Sequence, residues 1–134
     1  MSQEDVEVVR RAIAALNERD IDGYLACCAD DVQLVTPLAE IGGVYDGKEA
    51  IRRFFADMDD TSPDFHIVTE RLESISGDRV LGFLRISATG RASGLPAAVD
   101  TPTGNVYDMA DGKIARVRIF LDRDKALEAA GLRD

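Results

Sequence analysis

The sequence predicts an α+β domain in which a cone-shaped, curved antiparallel sheet wraps around helices. Three observations carry this. A 3.6-residue apolar period dominates the first sixty residues, a period of two dominates from Phe65 onward, and Asp111-Gly112 marks a tight hairpin between two apolar runs. Helices first and long strands afterwards imply a sheet covered on one face, with a packed apex and a pocket at the mouth.

In order, Ser2 serves as N-cap to a helix whose Val6, Val9, Ile13 and Leu16 share one face and which runs to about Arg19. Asp20 restarts a shorter helix through Ile21, Leu25 and Cys28. Val32–Thr36 is a strand closed by Pro37, and a loop with Glu40 and two glycines follows. Gly47 opens a third helix with Ile51, Phe54, Phe55 and Met58 as its stripe.

Phe65–Ile75 and Arg79–Arg91 read as strands of a hairpin, with Gly82 and Gly90 expected at bulges. Ser93–Thr103, with two prolines, reads as a polar crossing. Gly104–Asp122 is the closing hairpin, its last strand placing Ala115, Val117, Ile119 and Leu121 on one face and Arg116 and Arg118 on the other. A short helix from Asp122 to Ala130 stops at Gly131.

At 134 residues, 46% hydrophobic and 31% charged, the chain reads as one domain, 1–134, with a core of ordinary size. A net charge of −9 disfavours nucleic acid, and no apolar run reaches the ~20 residues of a membrane span. The acidic start implies a cytoplasmic protein. Cys27 and Cys28 are adjacent and His66 is the single histidine, so neither a disulfide, a metal site nor a cofactor is expected.

Several residues are candidates for chemistry. Asp108, on the strand parity of Gly104 and Val106, and His66, with its near-neutral pKa, are the acid–base candidates, each open to a solvated reading. Glu40 could guard the mouth, Tyr45 and Tyr24 could turn hydroxyls to a ligand, and Arg85 could hold a carboxylate; surface or core packing is the alternative for each.

Four segments carry a resemblance. Val8–Asp20, Ala29-Asp-Asp-Val32, Gly43-Val-Tyr-Asp-Gly-Lys-Glu-Ala-Ile51 and Asp111-Gly-Lys-Ile114 through Asp122 are similar to the SnoaL-like branch of the nuclear transport factor 2-like superfamily, of α+β barrel fold. The resemblance places Ala12 where ketosteroid isomerases carry an oxyanion tyrosine, Thr36 at the base, Cys28 and Phe55 at two supporting tyrosines, and Gly104 near the oxyanion aspartic acid. Alanine, phenylalanine and glycine side chains cannot donate a hydrogen bond to an enolate and threonine is no base near pH 7, so isomerase chemistry of that type is disfavoured. Cyclases and epoxide hydrolases of the fold imply an acid at Ile119, again missing. Val106, Val117 and Ile119 then belong to an apolar wall.

The expected function is binding or transforming a small apolar organic molecule. The alternative is a non-catalytic homodimeric interaction module, favoured if Phe54, Phe55 and Met58 fill the cone. Pairing of two copies through the outer sheet face, near Arg116 and Arg118, is implied by the resemblance.

Overall fold

The Asp-Gly turn forms as its residues dictate. Asp111 and Gly112 have φ of 53° and 78°, the left-handed pair of a two-residue hairpin turn matched to strand twist. The computed structural model describes residues 2–36, 43–61, 64–75, 77–89 and 98–132. Its elements are α1 (Ser2–Asn17), α2 (Ile21–Ala26), β1 (Cys28–Val35), β2 (Val44–Asp46), α3 (Gly47–Thr61), β3 (His66–Ser74), β4 (Arg79–Thr89), β5 (Ala98–Ala110), β6 (Lys113–Phe120) and α4 (Arg123–Ala129).

The strands form one curved, unclosed sheet in the order β2-β1-β6-β5-β4-β3. All neighbours are antiparallel except β1 and β6, which run parallel. The helical first half makes that pairing possible, because β1 enters the sheet before the meander that ends beside it. β1 starts four residues earlier than the Val32 strand read from sequence, so Cys28 lies at a strand start rather than a helix end. β2 was hidden in what reads as a loop.

β5 likewise starts at Ala98, inside the segment read as a polar crossing. Pro102 survives there because β6 pairs no further than Gly104–Phe120, leaving β5 bonded on the β4 side alone. The bulge of the first hairpin falls in β3, between Thr69 and Arg71, and not at Gly82. Gly82 instead makes room, since a Cβ there would lie 3.4 Å from the Tyr107 ring. Gly90 lies outside the described residues.

α1, α2 and α3 cover the concave face. Val9, Ala12, Ile13, Leu16, Leu25, Ile51 and Phe54 pack there on Val32, Leu34, Leu84 and Val117 in the main core. α1 ends in a Schellman motif: Asp20 N donates to Ala15 O (2.8 Å) and Arg19 N to Leu16 O (3.1 Å), with Arg19 at φ 62°. A non-glycine residue there costs roughly 1–2 kcal/mol. Its side chain offsets this, donating to Asp59 (2.8 Å) and Phe65 O (2.7 Å) and lying 4.1 Å over the Phe65 ring.

α4 packs on the opposite, convex face, where Ala126 and Ala130 meet Leu81 and Val106 in a second core. This overturns the expected facing of β5. With both faces buried, apolar alternation does not say which is inward. Gly104, Val106 and Asp108 point outward; Thr103, Asn105, Tyr107 and Met109 point in. A Cβ on Gly104 would come within 2.6 Å of the Ala126 Cβ, so this glycine exists for helix docking. On β6 the ladder shifts at Ala115, so Ile114, Val117 and Ile119 face in and Leu121 is 52% exposed.

Candidate functional site

Between the helices and the concave face lies a narrow chamber of ≈ 50 Å³. α1 contributes Ala12, Ile13 and Leu16, and α3 contributes Phe54, Phe55 and Met58. Across from them stand Leu84, Ile86, Val117 and Ile119 of the sheet. Phe54 and Phe55 meet edge to face at 5.1 Å, and Tyr24 meets Phe55 the same way at 5.3 Å. These aromatics narrow the chamber without filling it.

Its polarity comes from three side chains: Tyr24, Asn105 and Tyr107. On the inner face of β5, where successive inward residues are two apart, Thr103 Oγ1 donates to Asn105 Oδ1 (3.1 Å) and Asn105 Nδ2 donates to the Tyr107 hydroxyl (3.2 Å). All three are buried. The Tyr107 hydroxyl keeps capacity for one more hydrogen bond, and that of Tyr24 makes none among the described residues. Burial pushes the Tyr107 pKa to about 12 despite the Asn105 hydrogen bond. Burial also pushes Tyr24 well up, helped by Cys28, Tyr107 and Cys27. Both are neutral hydroxyls at ordinary pH.

Leu16, Phe55 and Phe65 of the chamber wall also line an adjoining vestibule of ≈ 310 Å³. Arg19, Ile21, Arg52, Ala56 and Asp59 complete it. Phe55 divides the two spaces because helical spacing puts Met58 on its chamber side and Arg52, Ala56 and Asp59 on its vestibule side. The chamber alone is far below the ~300–1,000 Å³ usual for drug-sized ligands, and the vestibule brings the cleft to that scale.

The predicted residues divide. Ala12, Phe55, Val117 and Ile119 line the chamber. Cys28, at the start of β1, and Thr36, just past its end, are buried without lining it; burial, then Cys27, raises the Cys28 pKa to about 12, so it stays a thiol. Tyr45 stacks on Phe54 at 4.8 Å behind the wall. Glu40 lies outside the described residues.

The acid–base candidates are outside the chamber and apart. Asp108 sits on the convex face, accepting from Arg79 (3.1 Å) and Arg116 (2.8 Å), with Arg118 at 3.6 Å. His66 is exposed and faces Ser87 in the ladder, while Asp108 faces Arg79. From Arg79 to Ser87 the strand spans roughly 26 Å, so the two side chains cannot cooperate. Arg85 is also convex, paired with Glu70 (2.8 Å) and Asp100 (3.4 Å). Gly104 and Val106 are under α4. No carboxylate, histidine, lysine or arginine is among the described residues lining the chamber. Among those residues no group of three or more His, Cys, Asp or Glu is placed to hold a metal ion.

Asn105 and Tyr107 were missed by sequence reasoning. Their signal was available: buried-type polar residues at a period of two, Thr103-Gly-Asn105-Val-Tyr107, opposite a glycine.

The family model for the SnoaL-like domain matches residues 9–117. The chain belongs to the SnoaL-like domain family. No match was found among curated proteins. Among solved structures, this SnoaL-like domain is similar to TerC co-crystallised with polyporic acid (23% identity, 96% of this chain and 98% of that one, TM-score 0.78). It is similar also to RV0760c from Mycobacterium tuberculosis in complex with estradiol-17β-hemisuccinate (19% identity, 92% and 97%, TM-score 0.76). A third similar structure is an uncharacterised cystatin-fold protein from Novosphingobium aromaticivorans (24% identity, 90% and 98%, TM-score 0.75). At these identities the likeness is one of fold. None of the described helices is long and apolar enough to cross a membrane.

Proposed function

We propose that this SnoaL-like domain binds a small, largely apolar organic molecule across the vestibule and chamber, with one hydroxyl or carbonyl against Tyr107. The observation that carries this is a buried hydrogen-bond chain, Thr103 to Asn105 to Tyr107, ending on a hydroxyl inside an otherwise greasy cavity. A core of equal stability needs no such chain, and a ligand's polar group gives it a terminus. Ring compounds in the complexes of two similar structures, polyporic acid and an estradiol hemisuccinate, agree in kind. Binding is favoured over acid–base turnover because a neutral tyrosine with a pKa of about 12 is a poor base.

The test is calorimetric titration with 2-naphthol and its apolar counterpart 2-methylnaphthalene. The prediction is tighter binding of 2-naphthol, and a Tyr107→Phe variant that weakens it about five- to tenfold while leaving 2-methylnaphthalene unchanged, as one buried hydrogen bond of about 1 kcal/mol requires. Equal loss for both compounds, or no binding of either, contradicts the reading.

We also propose that two copies pair through the convex face. Arg118 Nε and Nη2 are buried there without a hydrogen-bond acceptor, and α4 packs on Leu81, Val106 and the Phe120 end of β6. Val44, 46% exposed and opposite Val35 on the uncovered edge, belongs to the same face. Sedimentation velocity is expected to give twice the chain mass, and Val44→Asp to shift it toward the monomer. A wild-type monomer at micromolar concentration overturns the pairing.

A further inference from the structure

We propose that the vestibule is an anion site and that the ligand is an amphipathic carboxylic acid, its apolar body reaching into the chamber and its carboxylate on Arg52. The inference rests on the chamber being a ligand site and adds the chemistry of the ligand's outer end. Three charged side chains line the vestibule: Arg19, Arg52 and Asp59. On a chain of net charge −9 the described lining thus carries two cations and one acid, and the only acid paired to Arg52 among the described residues is Asp22, outside the lining.

The two arginines differ in what they are already doing. Arg19 is committed to the fold: Nε holds Asp59, Nη1 and Nη2 hold the carbonyls of Leu16 (3.2 Å) and Phe65, and its plane lies on the Phe65 ring. It neutralises Asp59, the acid among the described residues lining the vestibule. Arg52 has a single partner among the described residues, Nη2 to Asp22 at 2.7 Å, and Asp22 is 81% exposed. An exposed pair of this kind is weak and exchanges readily with solvent. The remaining N–H groups of Arg52 are available to a carboxylate, which guanidinium binds in a fork.

Position completes the case. Arg52 is one helical turn before Phe55, the residue that divides chamber from vestibule, so a molecule passing Phe55 emerges beside the guanidinium. The distant acids do not reverse this, because charges beyond about 8 Å are screened at physiological salt while a contact pair is not.

The experiment compares 6-hydroxy-2-naphthoate with 2-naphthol by calorimetry on the full chain. Wild type is expected to prefer the acid at least fivefold at 50 mM salt, with the preference shrinking at 500 mM. Arg52→Gln is expected to bring it near one while 2-naphthol affinity stays unchanged, and Asp22→Asn, which releases Arg52, to maintain or raise it. Full preference in Arg52→Gln, loss of preference in Asp22→Asn, or no preference in wild type overturns the anion site and leaves the chamber reading standing. If 2-naphthol itself does not bind, the chamber reading fails and this inference falls with it.

Discussion

Tyr24, Asn105 and Tyr107 are the polar side chains among the described residues lining an apolar chamber, and Cys28 lies close enough to both tyrosines to raise their pKa values. Their burial makes the fold sensitive to alkali. Unfolded, Cys28 loses its proton near 9.0 and Tyr107 near 10.0, whereas both hold it to about 12 when folded. The folded state therefore keeps protons that the unfolded state has released, so their contribution is complete below pH 9 and falls as pH rises from there to 12. Thermal melts across this range are expected to show the melting temperature dropping above pH 9. Cys28→Ala, which removes the thiol without overpacking, is expected to move the onset to about pH 10; an unchanged onset would mean that Cys28 is solvated.

How much of the site was legible also turns on single residues. Ala12, Phe55, Val117 and Ile119 were found because helix and strand periods point them at the same space. Asp108 was misplaced because Val106 and Gly104 beside it are buried too, beneath a helix on the other face. Its charge was the better guide, since three arginines meet it where water can reach. His66 and Arg85 illustrate the same point: charged residues on a two-faced sheet belong outward unless a partner is buried with them.

At the level of elements, α4 is the piece the sequence placed least well, and it is held by few groups. Arg123 Nε donates to Thr103 O (3.1 Å) and Nη2 to Leu84 O (2.9 Å) and Glu70 (2.6 Å), over the Phe83 ring at 4.8 Å. The helix thus ties β3, β4 and β5 together from behind the chamber. Arg123→Ala is expected to cost about 2–3 kcal/mol in urea unfolding, as charge-assisted bonds to carbonyls imply. Gly104→Ala is expected to displace the helix by contact with Ala126, exposing α4 amides to hydrogen exchange while α1 amides stay protected. Equal loss of protection in α1 would contradict independent docking.

α1 is secured differently. The Asn17 side chain both donates to Ile67 O (2.9 Å) and accepts from Ile67 N (2.8 Å), standing in for a strand on the outer edge of β3. Asn17→Ala leaves both backbone groups unmet and is expected to cost about 2 kcal/mol by the same unfolding measurement. A single Asn near a helix end reads from sequence as a weak cap, so nothing local foretold this long-range role. The hairpin at Asp111-Gly112 and the α3 stripe, by contrast, were readable because their causes are local.

At the scale of the molecule, the chain is a sheet with two differently used faces. Helices on the concave face leave a chamber and vestibule, and a short helix with a set of arginines occupies the convex one. Ala12 and Phe55 line the chamber, Cys28 and Thr36 are buried outside its lining, and the inward neighbour of Gly104 is an amide, Asn105. What is built in place of acid–base groups is a hydrogen-bonding floor under an apolar wall. The measurement that bears on this most directly is a methyl-resolved carbon–proton NMR titration with 2-naphthol. The prediction is that Ile13, Leu34, Leu84, Ile86 and Ile119 methyls shift together on one saturable curve while Leu81 and Val106, in the convex core, do not move. Shifts confined to the convex methyls, or no saturable shift in the chamber, would contradict it.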